Sequence, residues 1–322
     1  MAQKRNVDYQ SLVSQADIYY SAPVFENYKG MPVGNGVTGS IVWMGPDRLK
    51  FQINRVDVFA ANGATTAGEP DMTSPDYLGH QEYCGGCAFL DISFGRDVFT
   101  ETDTVQHLRM YDAELGLEGR NLQASLRVWA ERDVFCLDVK DLSGKPEPVS
   151  ITLSMLRPAH VVRKNHTADS RVFSREGMAG LTQAFSETCD TGVEGNDHFC
   201  ASAVLASAKG CTIAETKLDS ERCVTLTLLP ETSQYSLYIA SGASFQSLEQ
   251  AEKDAQSAMF AAFSAGKEQI ENSHRDWWHD YWSRSYIDTS FDRRYSLYWY
   301  TYLYFIGSTM RGGYPATFNG LL

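Results

Sequence analysis

Apolar and polar residues alternate along both arms of a segment that opens with Met31-Pro32-Val33-Gly34-Asn35-Gly36. Gly34-Asn35-Gly36 can adopt positive φ at low cost, which a tight reversal of the backbone requires. Beyond it Val37, Gly39, Ile41 and Trp43 fall on one side, Thr38 and Ser40 on the other. Gly45-Pro46-Asp47 then signals a turn, after which Leu49, Phe51 and Ile53 alternate with Lys50, Gln52 and Asn54. Period two on either side of a turn predicts a β-hairpin with one buried, apolar face.

From Ala16 to about Ser244 the same short alternating segments recur between turn residues, with little helical period. They include Cys87–Phe94, Val105–Tyr111, Ala124–Trp129, Val134–Val139, Val149–Leu156, Gly180–Ser186, Ala201–Ser207, Cys223–Leu229 and Tyr235–Ala240. Many strands with no interleaved helices predict a mainly β fold, a large antiparallel sandwich. Gly63–Gly79 and Glu187–Asn196 are loops by composition. At Ser247 the period changes. Ser247-Leu248-Glu249-Gln250 fits a capping box, and Leu248, Ala251, Ala255, Met259 and Phe263 follow at helical spacing up to Gly266. A second helix, Lys267 to about Ser285, carries Trp277, Trp278, Tyr281 and Trp282 on one broad face. A third, roughly Phe291–Met310, is apolar on all sides, which predicts burial in a helical assembly.

A net charge of −12 over 322 residues argues against nucleic acid or an anionic membrane as partner. The apolar run Tyr295–Met310 is shorter than the ~20 residues of a bilayer crossing. Met1–Gln10 has no apolar h-region, so no signal peptide is visible. Seven cysteines, an odd number, read as reduced structural thiols. His80-x-x-x-Cys84-x-x-Cys87 has the short spacing of a zinc site but lacks a second ligand pair, so a turn with buried thiols is expected, with no metal and no disulfide. His274 and His279, five apart, lie on different helix faces and do not share a metal. The aromatics around them read as core rather than as sugar platforms. No nucleophile elbow, phosphate loop or dinucleotide fingerprint is present. Asn35 is the candidate substrate-binding residue, since a Gly-flanked amide at a hairpin tip can reach a sugar hydroxyl. The alternative is that Asn35 supplies the left-handed residue of the turn.

The wording of several segments resembles glycoside hydrolase family 95, the α-L-fucosidase-like enzymes and their uncharacterised bacterial relatives. "PVGNG" followed by "LKFQINRVDVFAANG" is similar to the family's opening hairpin, where Asn54 and Asp57 match and Phe59 replaces a Trp. "LDISF", "QHLRMYDAELG", "LRVWAERDVFCLDVKD" and "VSITLSMLRP" follow its order of core strands. "HRDWWHDYWSRS" and then Arg311-Gly-Gly-Tyr-Pro315-Ala-Thr-Phe-Asn319-Gly-Leu resemble its linker helices and first barrel helix, with Thr317 in place of Asn and Asn319 in place of Gln.

The resemblance implies a supersandwich of the galactose mutarotase type, then linker helices and the first helix of an (α/α)6 barrel. The domains expected are 1–245, the sandwich; 246–286, the linker helices; and 287–322, the start of a barrel that continues beyond Leu322. The family's acid and base match nothing here, so no catalytic residue is assigned and the chain alone is expected to be inactive. The implied role is a carbohydrate-associated domain of an inverting glycoside hydrolase, scaffolding the barrel, with an oligosaccharide or glycoside as partner and no cofactor. Relatives are often exported; the compartment of this chain is not legible. Two alternatives are a self-sufficient carbohydrate-binding or interaction module and a mutarotase-like sugar-converting enzyme. The latter needs a His and a carboxylate converging on one sheet, with His107, His160 and His166 available. The aromatic third helix is also expected to drive self-association.

Overall fold

The computed structural model describes residues 7–60, 84–163, 166–175, 177–188, 197–289 and 292–315. Outside them lie the Gly63–Gly79 loop, His80, most of the Glu187–Asn196 loop, Phe291, Thr317 and Asn319. The side chain of Cys84 lies outside them too.

A five-residue helix, α1 (Tyr9–Val13), precedes the strands. In chain order these are β1 (Ile18–Tyr20), β2 (Met31–Gly34), β3 (Thr38–Gly45), β4 (Arg48–Phe59), β5 (Cys84–Ser93) and β6 (Val105–Arg109). Next come β7 (Glu114–Gly119), β8 (Leu122–Val128), β9 (Val134–Asp141), β10 (Val149–Ser154), β11 (His160–Arg163) and β12 (His166–Arg175). The last are β13 (Met178–Glu187), β14 (His198–Lys209), β15 (Cys211–Ser220), β16 (Cys223–Pro230) and β17 (Gln234–Ser244). They form a ten-stranded sheet, β1-β6-β7-β8-β9-β17-β14-β13-β12-β11, and a seven-stranded sheet, β15-β16-β10-β5-β4-β3-β2. Every described pairing is antiparallel, and the two inner faces share one apolar core that includes Phe51, Leu90, Ile151, Leu126, Phe135, Leu226 and Leu237.

The opening hairpin forms, but on β3 Val42 and Met44 rather than the predicted Ile41 and Trp43 are buried. The strand's buried positions are Thr38, Gly39, Ser40, Val42 and Met44, while Ile41 and Trp43 are half-buried. The polar members are tolerated because they are bonded: Thr38 Oγ1 donates to the Asn54 carbonyl at 2.9 Å and Ser40 Oγ to the Ile41 carbonyl at 2.7 Å. On β4 the expected Leu49, Phe51 and Ile53 are buried.

Two long helical segments follow the sandwich. In α2 (Leu248–Arg284) the backbone leaves helical geometry at Gly266, with φ 70° and ψ 173°, which splits it where the sequence places the break. Ser247 caps it by accepting from Gln250 N at 3.1 Å. Only half of the predicted box forms, since the Gln250 amide turns to Asp254 instead. The first half of α2 buries Ala251, Ala255, Ala258, Met259 and Ala262 on the outer face of the large sheet, against Ala201, Ala203, Leu205 and Tyr238. The alanines let helix and sheet approach closely: a Cβ on Gly242 would meet the Ala251 carbonyl at 2.3 Å.

The last helix, α3 (Arg293–Thr309), docks by one face. Ser296, Tyr300, Tyr304, Gly307 and Ser308 are buried, Tyr304 donates to the Pro32 carbonyl at 2.9 Å, and Gly307 packs on Trp278. Its other side is exposed: Tyr298 is 72% and Tyr302 66% accessible. The burial on all sides that its composition predicts is therefore not what this chain alone provides.

Candidate functional site

Two places gather polar side chains that a sandwich does not need. The first is the tip of the β2–β3 reversal. Gly36, not Asn35, takes the left-handed conformation, at φ 87°. Asn35 is 3% accessible and its amide is fully engaged inside the chain. Nδ2 donates to the carbonyls of Trp129 and Arg132, each at 3.1 Å, and to Asp133 Oδ1 at 3.0 Å. Oδ1 accepts from the backbone of Val37 and Thr38 at 3.0 Å. An amide with two hydrogens and three acceptors has no donor left for a sugar.

Asp133 passes the network on. Its other oxygen accepts from Arg55, which grips Asp57 through two bonds of 2.8 Å and reaches Ser241 at 2.9 Å. Burial opposes the charge on Arg55, but Asp133 and Asp57 outweigh it and hold its proton tighter than usual. The chain's C-terminal end closes over this tip. Gly36 N donates to the Ser308 carbonyl at 2.7 Å and the Gly36 carbonyl accepts from Arg311 N at 2.9 Å. The Arg311 guanidinium lies 3.4 Å over the Trp277 ring and donates to the Ala130 carbonyl at 2.8 Å. Burial lowers its pKa to about 10.

The other residues singled out in the sequence are mostly structural. Trp278 and Trp282 are fully buried, and Trp282 Nε1 donates to the Tyr111 carbonyl at 3.1 Å. His274 and His279 both tie α2 to the β6–β7 turn: His274 Nε2 meets the Ala113 carbonyl at 3.2 Å and His279 Nε2 meets Asp112 at 2.8 Å. Burial lowers the His274 pKa to about 3, so it is a neutral ring holding a turn. Cys87 is a buried thiol, pushed up to about 11 by burial. Among the described residues no three His, Cys, Asp or Glu side chains gather closely enough for a metal, and no helix is long and apolar enough to cross a membrane. His107, His160 and His166 do not come together. His107 on β6 pairs with Asp17 at 2.9 Å, whereas His160 and His166 lie near the opposite edge of the sheet, paired with Asp169 and Glu187.

The second place is a groove of about 740 Å3 on the outer face of the large sheet, beside α2. That is within the several-hundred Å3 range of small-molecule sites. Strand register builds its floor. Tyr19 opposes His107, which opposes Gly116, which opposes Ser125. Ser125 then opposes Asp138, Asp138 opposes Ser236, and Ser236 opposes Lys209. All of them line the groove. Beside this row runs an ionic ladder. Glu114 accepts from Arg109 at 3.2 Å and from Arg127; Arg127 donates to Asp138 Oδ2 at 2.7 Å and Ser125 Oγ at 3.0 Å; Ser236 donates to Asp138 Oδ1 at 2.6 Å. Arg127 is only 2% accessible. Its burial opposes the charge, but Glu114 and Asp138 more than compensate and raise its pKa. On β9 and β17 the outward residues change from Cys136 and Tyr238 beneath α2 to Asp138, Lys140, Ser236 and Gln234 in the groove. The helix covers the apolar half of the face and the groove is the polar half.

None of these groove residues except His107 stands out in the sequence. Glu114, Glu118, Gln123, Ser125, Arg127, Asp138 and Lys140 occupy the polar phase of period two on three successive strands, the ordinary signature of a solvated face.

No family model and no curated protein matches the chain. Solved structures do. A chain described as a kojibiose phosphorylase from human microbiome superposes with a TM-score of 0.52 at 12% identity, over 92% of this chain and 42% of that one. A family GH92 inverting mannosidase from Bacteroides thetaiotaomicron gives a TM-score of 0.45 at 13% identity, over 94% of this chain and 40% of that one. A bacterial glucoamylase complexed with acarbose gives 0.39 at 10% identity, over 91% and 44%. At such identities likeness shows fold alone, and the first of the three carries it. This chain spans less than half the length of each.

Proposed function

We propose that this chain is the sandwich and linker part of a larger carbohydrate-active protein of glycoside-hydrolase type, in which it scaffolds a helical domain and helps position a sugar. The division is 1–245 for the sandwich, 246–286 for the linker helices and 287–322 for the first helix of an (α/α)6 barrel. The observation that carries it is the two-sided α3. Tyr300, Tyr304 and Gly307 anchor one face to the sandwich, while Tyr298, Tyr302, Phe305 and Trp299 face outward on the other. Covering each such side chain contributes roughly 1.5–3 kcal/mol, so a helical neighbour packed there gains several kcal/mol. The likeness in fold and the family 95 resemblance of the hairpin, core strands and tail support the carbohydrate setting, with an α-L-fucoside-type substrate as the finer reading. In this role Asn35 and the Arg55 network hold the hairpin tip rigid beneath the neighbouring domain.

Sedimentation of the 322-residue chain against a Tyr298→Gln/Tyr302→Gln variant tests this. The parent is expected to self-associate with rising concentration and to bind a hydrophobic dye, the variant to do neither. Assays on aryl α-L-fucosides and α-L-galactosides are expected to show no turnover. A parent that stays monomeric, binds no dye and turns over glycosides would sink the proposal.

A further inference from the structure

The groove on the large sheet is separate from α3 and from the hairpin tip, and its construction points to a ligand. A solvated sheet face has no use for a nearly inaccessible Arg127 clamped between Glu114 and Asp138, because desolvating such charges costs several kcal/mol per ion unless every partner is in place. Here Arg127 braces a rigid floor from beneath, with Glu114, Ser125, Asp138 and Ser236 lining the groove, a polar surface suited to hydroxyl-rich ligands. Gly116 keeps the floor low: a Cβ there would meet the Arg109 guanidinium at 2.7 Å. At one end Tyr19 is 58% accessible and stands edge-on to His107, presenting an apolar ring at the groove wall. At the other end stand Lys140, Lys209 and Lys267, all exposed and all groove-lining. None of them takes part in an ion pair among the described residues; Lys209 donates to the Phe263 carbonyl at 3.3 Å. Three lysines without an ion-pair partner gather positive charge toward this end of the groove, while its acidic residues, Glu114, Glu118 and Asp138, lie toward the middle, on a chain of net charge −12.

The row from Tyr19 to Lys209 crosses six strand spacings of about 4.8 Å, roughly 29 Å in all. That is too long for one pyranose. We infer that the groove binds an acidic oligosaccharide, one bearing uronate carboxylates, with a sugar face against Tyr19, its hydroxyls on the floor of Glu114, Ser125, Asp138 and Ser236, and a carboxylate near the three lysines. The inference rests on the carbohydrate setting proposed above for its ligand class, and on the groove alone for its location and charge preference.

The test is calorimetric titration of the full chain with hexagalacturonate, hyaluronan hexasaccharide and neutral cellohexaose. The expected result is binding of at least one acidic hexasaccharide, weakened by added salt, with cellohexaose at least tenfold weaker. A Lys140→Gln/Lys209→Gln/Lys267→Gln variant should lose at least tenfold in affinity for the acidic ligand, and Tyr19→Ala several-fold; both change exposed residues, and unchanged melting confirms the fold. No binding to either acidic hexasaccharide, equal binding of the neutral one, or a triple variant that binds like the parent would each overturn the inference. Self-association through Tyr298 and Tyr302 is read separately, so loss of the groove's ligand leaves the scaffold role standing, and the reverse.

Discussion

Replacing Asn35 by Ala should destabilise the fold rather than disturb a surface. The substitution removes five hydrogen bonds, two at the Val37 and Thr38 amides and three at Trp129, Arg132 and Asp133. Not all of them count equally. Val37 and Arg132 are partly exposed and can turn to water, Asp133 keeps Arg55, and the Trp129 carbonyl retains the Arg132 amide at 3.3 Å. Thr38, 1% accessible, is left with an amide that has no acceptor. One buried orphan at ~1–3 kcal/mol and the weakening of the others give about 2–4 kcal/mol. For a domain of this size that is a fall of roughly 5–10 °C in Tm. Asn35→Gly should fall as far, because Gly36 already supplies the left-handed residue and a second glycine relieves nothing. Asn35→Asp should be worse at neutral pH, since it turns a carboxylate oxygen toward Asp133 and two carbonyls. Its deficit should shrink as pH falls towards 4, where the introduced carboxyl protonates and can donate. Differential scanning calorimetry of the three variants decides the matter. If Asn35→Ala melts within about 1 °C of the parent, the internal amide network contributes nothing and the reasoning fails.

Three further outcomes are expected. Gly36→Ala places a methyl at φ 87° and 2.3 Å from Arg311 Cβ, so beyond ~1–2 kcal/mol of backbone strain it should release the C-terminal segment, read as faster proteolysis near Arg311. His274, neutral in the fold with a pKa near 3 against 6.5 for the ordinary ring, resists a proton that the unfolded chain takes up. Its share of stability is therefore complete above about pH 6.5 and is lost as pH falls toward 3, by up to about 1.4 kcal/mol per pH unit; denaturant titrations between pH 5 and 6.5 should show a flatter slope for His274→Gln. Arg127→Met should cost about 3–5 kcal/mol by stranding Glu114 and Asp138, and adding Glu114→Gln and Asp138→Asn should restore much of it, as measured by urea unfolding.

How much of this was legible follows from where each constraint originates. Gly266 splits α2 by its own backbone freedom and Ser247 caps it through a bond three residues away, so both read from local sequence. Strand β15 does not. Its burial follows no alternation, with most positions exposed, and register shifts between Ile213 and Glu215 and between Leu218 and Ser220 break the period of two. An edge strand with two irregularities has no pattern to find. On β3 the apolar residues pointed to the wrong face because Thr38 and Ser40 are held inside by partners at Asn54, Ser241 and the strand's own backbone. Hydrophobicity reports transfer from water, and a bonded hydroxyl escapes that rule. Local sequence offers Asn35 only as a turn residue or a sugar contact, because the acceptors of its amide lie 94–98 residues onward.

The groove shows why charge alone is a poor guide on a strand. Glu114, Arg127 and Asp138 occupy polar positions that any solvated sheet would fill, and only the register of β7, β8 and β9 turns three separate charges into one ladder. The turn Trp129–Asp133 that sets the β8–β9 register is the same turn whose carbonyls and carboxylate receive the Asn35 amide. One end of β8–β9 is therefore pinned by the hairpin tip and the Arg311 segment, and the ionic ladder begins just inside it. Arg127 and Asp138 lie one and four residues inside the strands that leave that turn. A disturbance at Asn35 or Gly36 should accordingly reach the ladder through two short strands rather than through the core, which ties the precision of the groove to the integrity of the joint beneath α3.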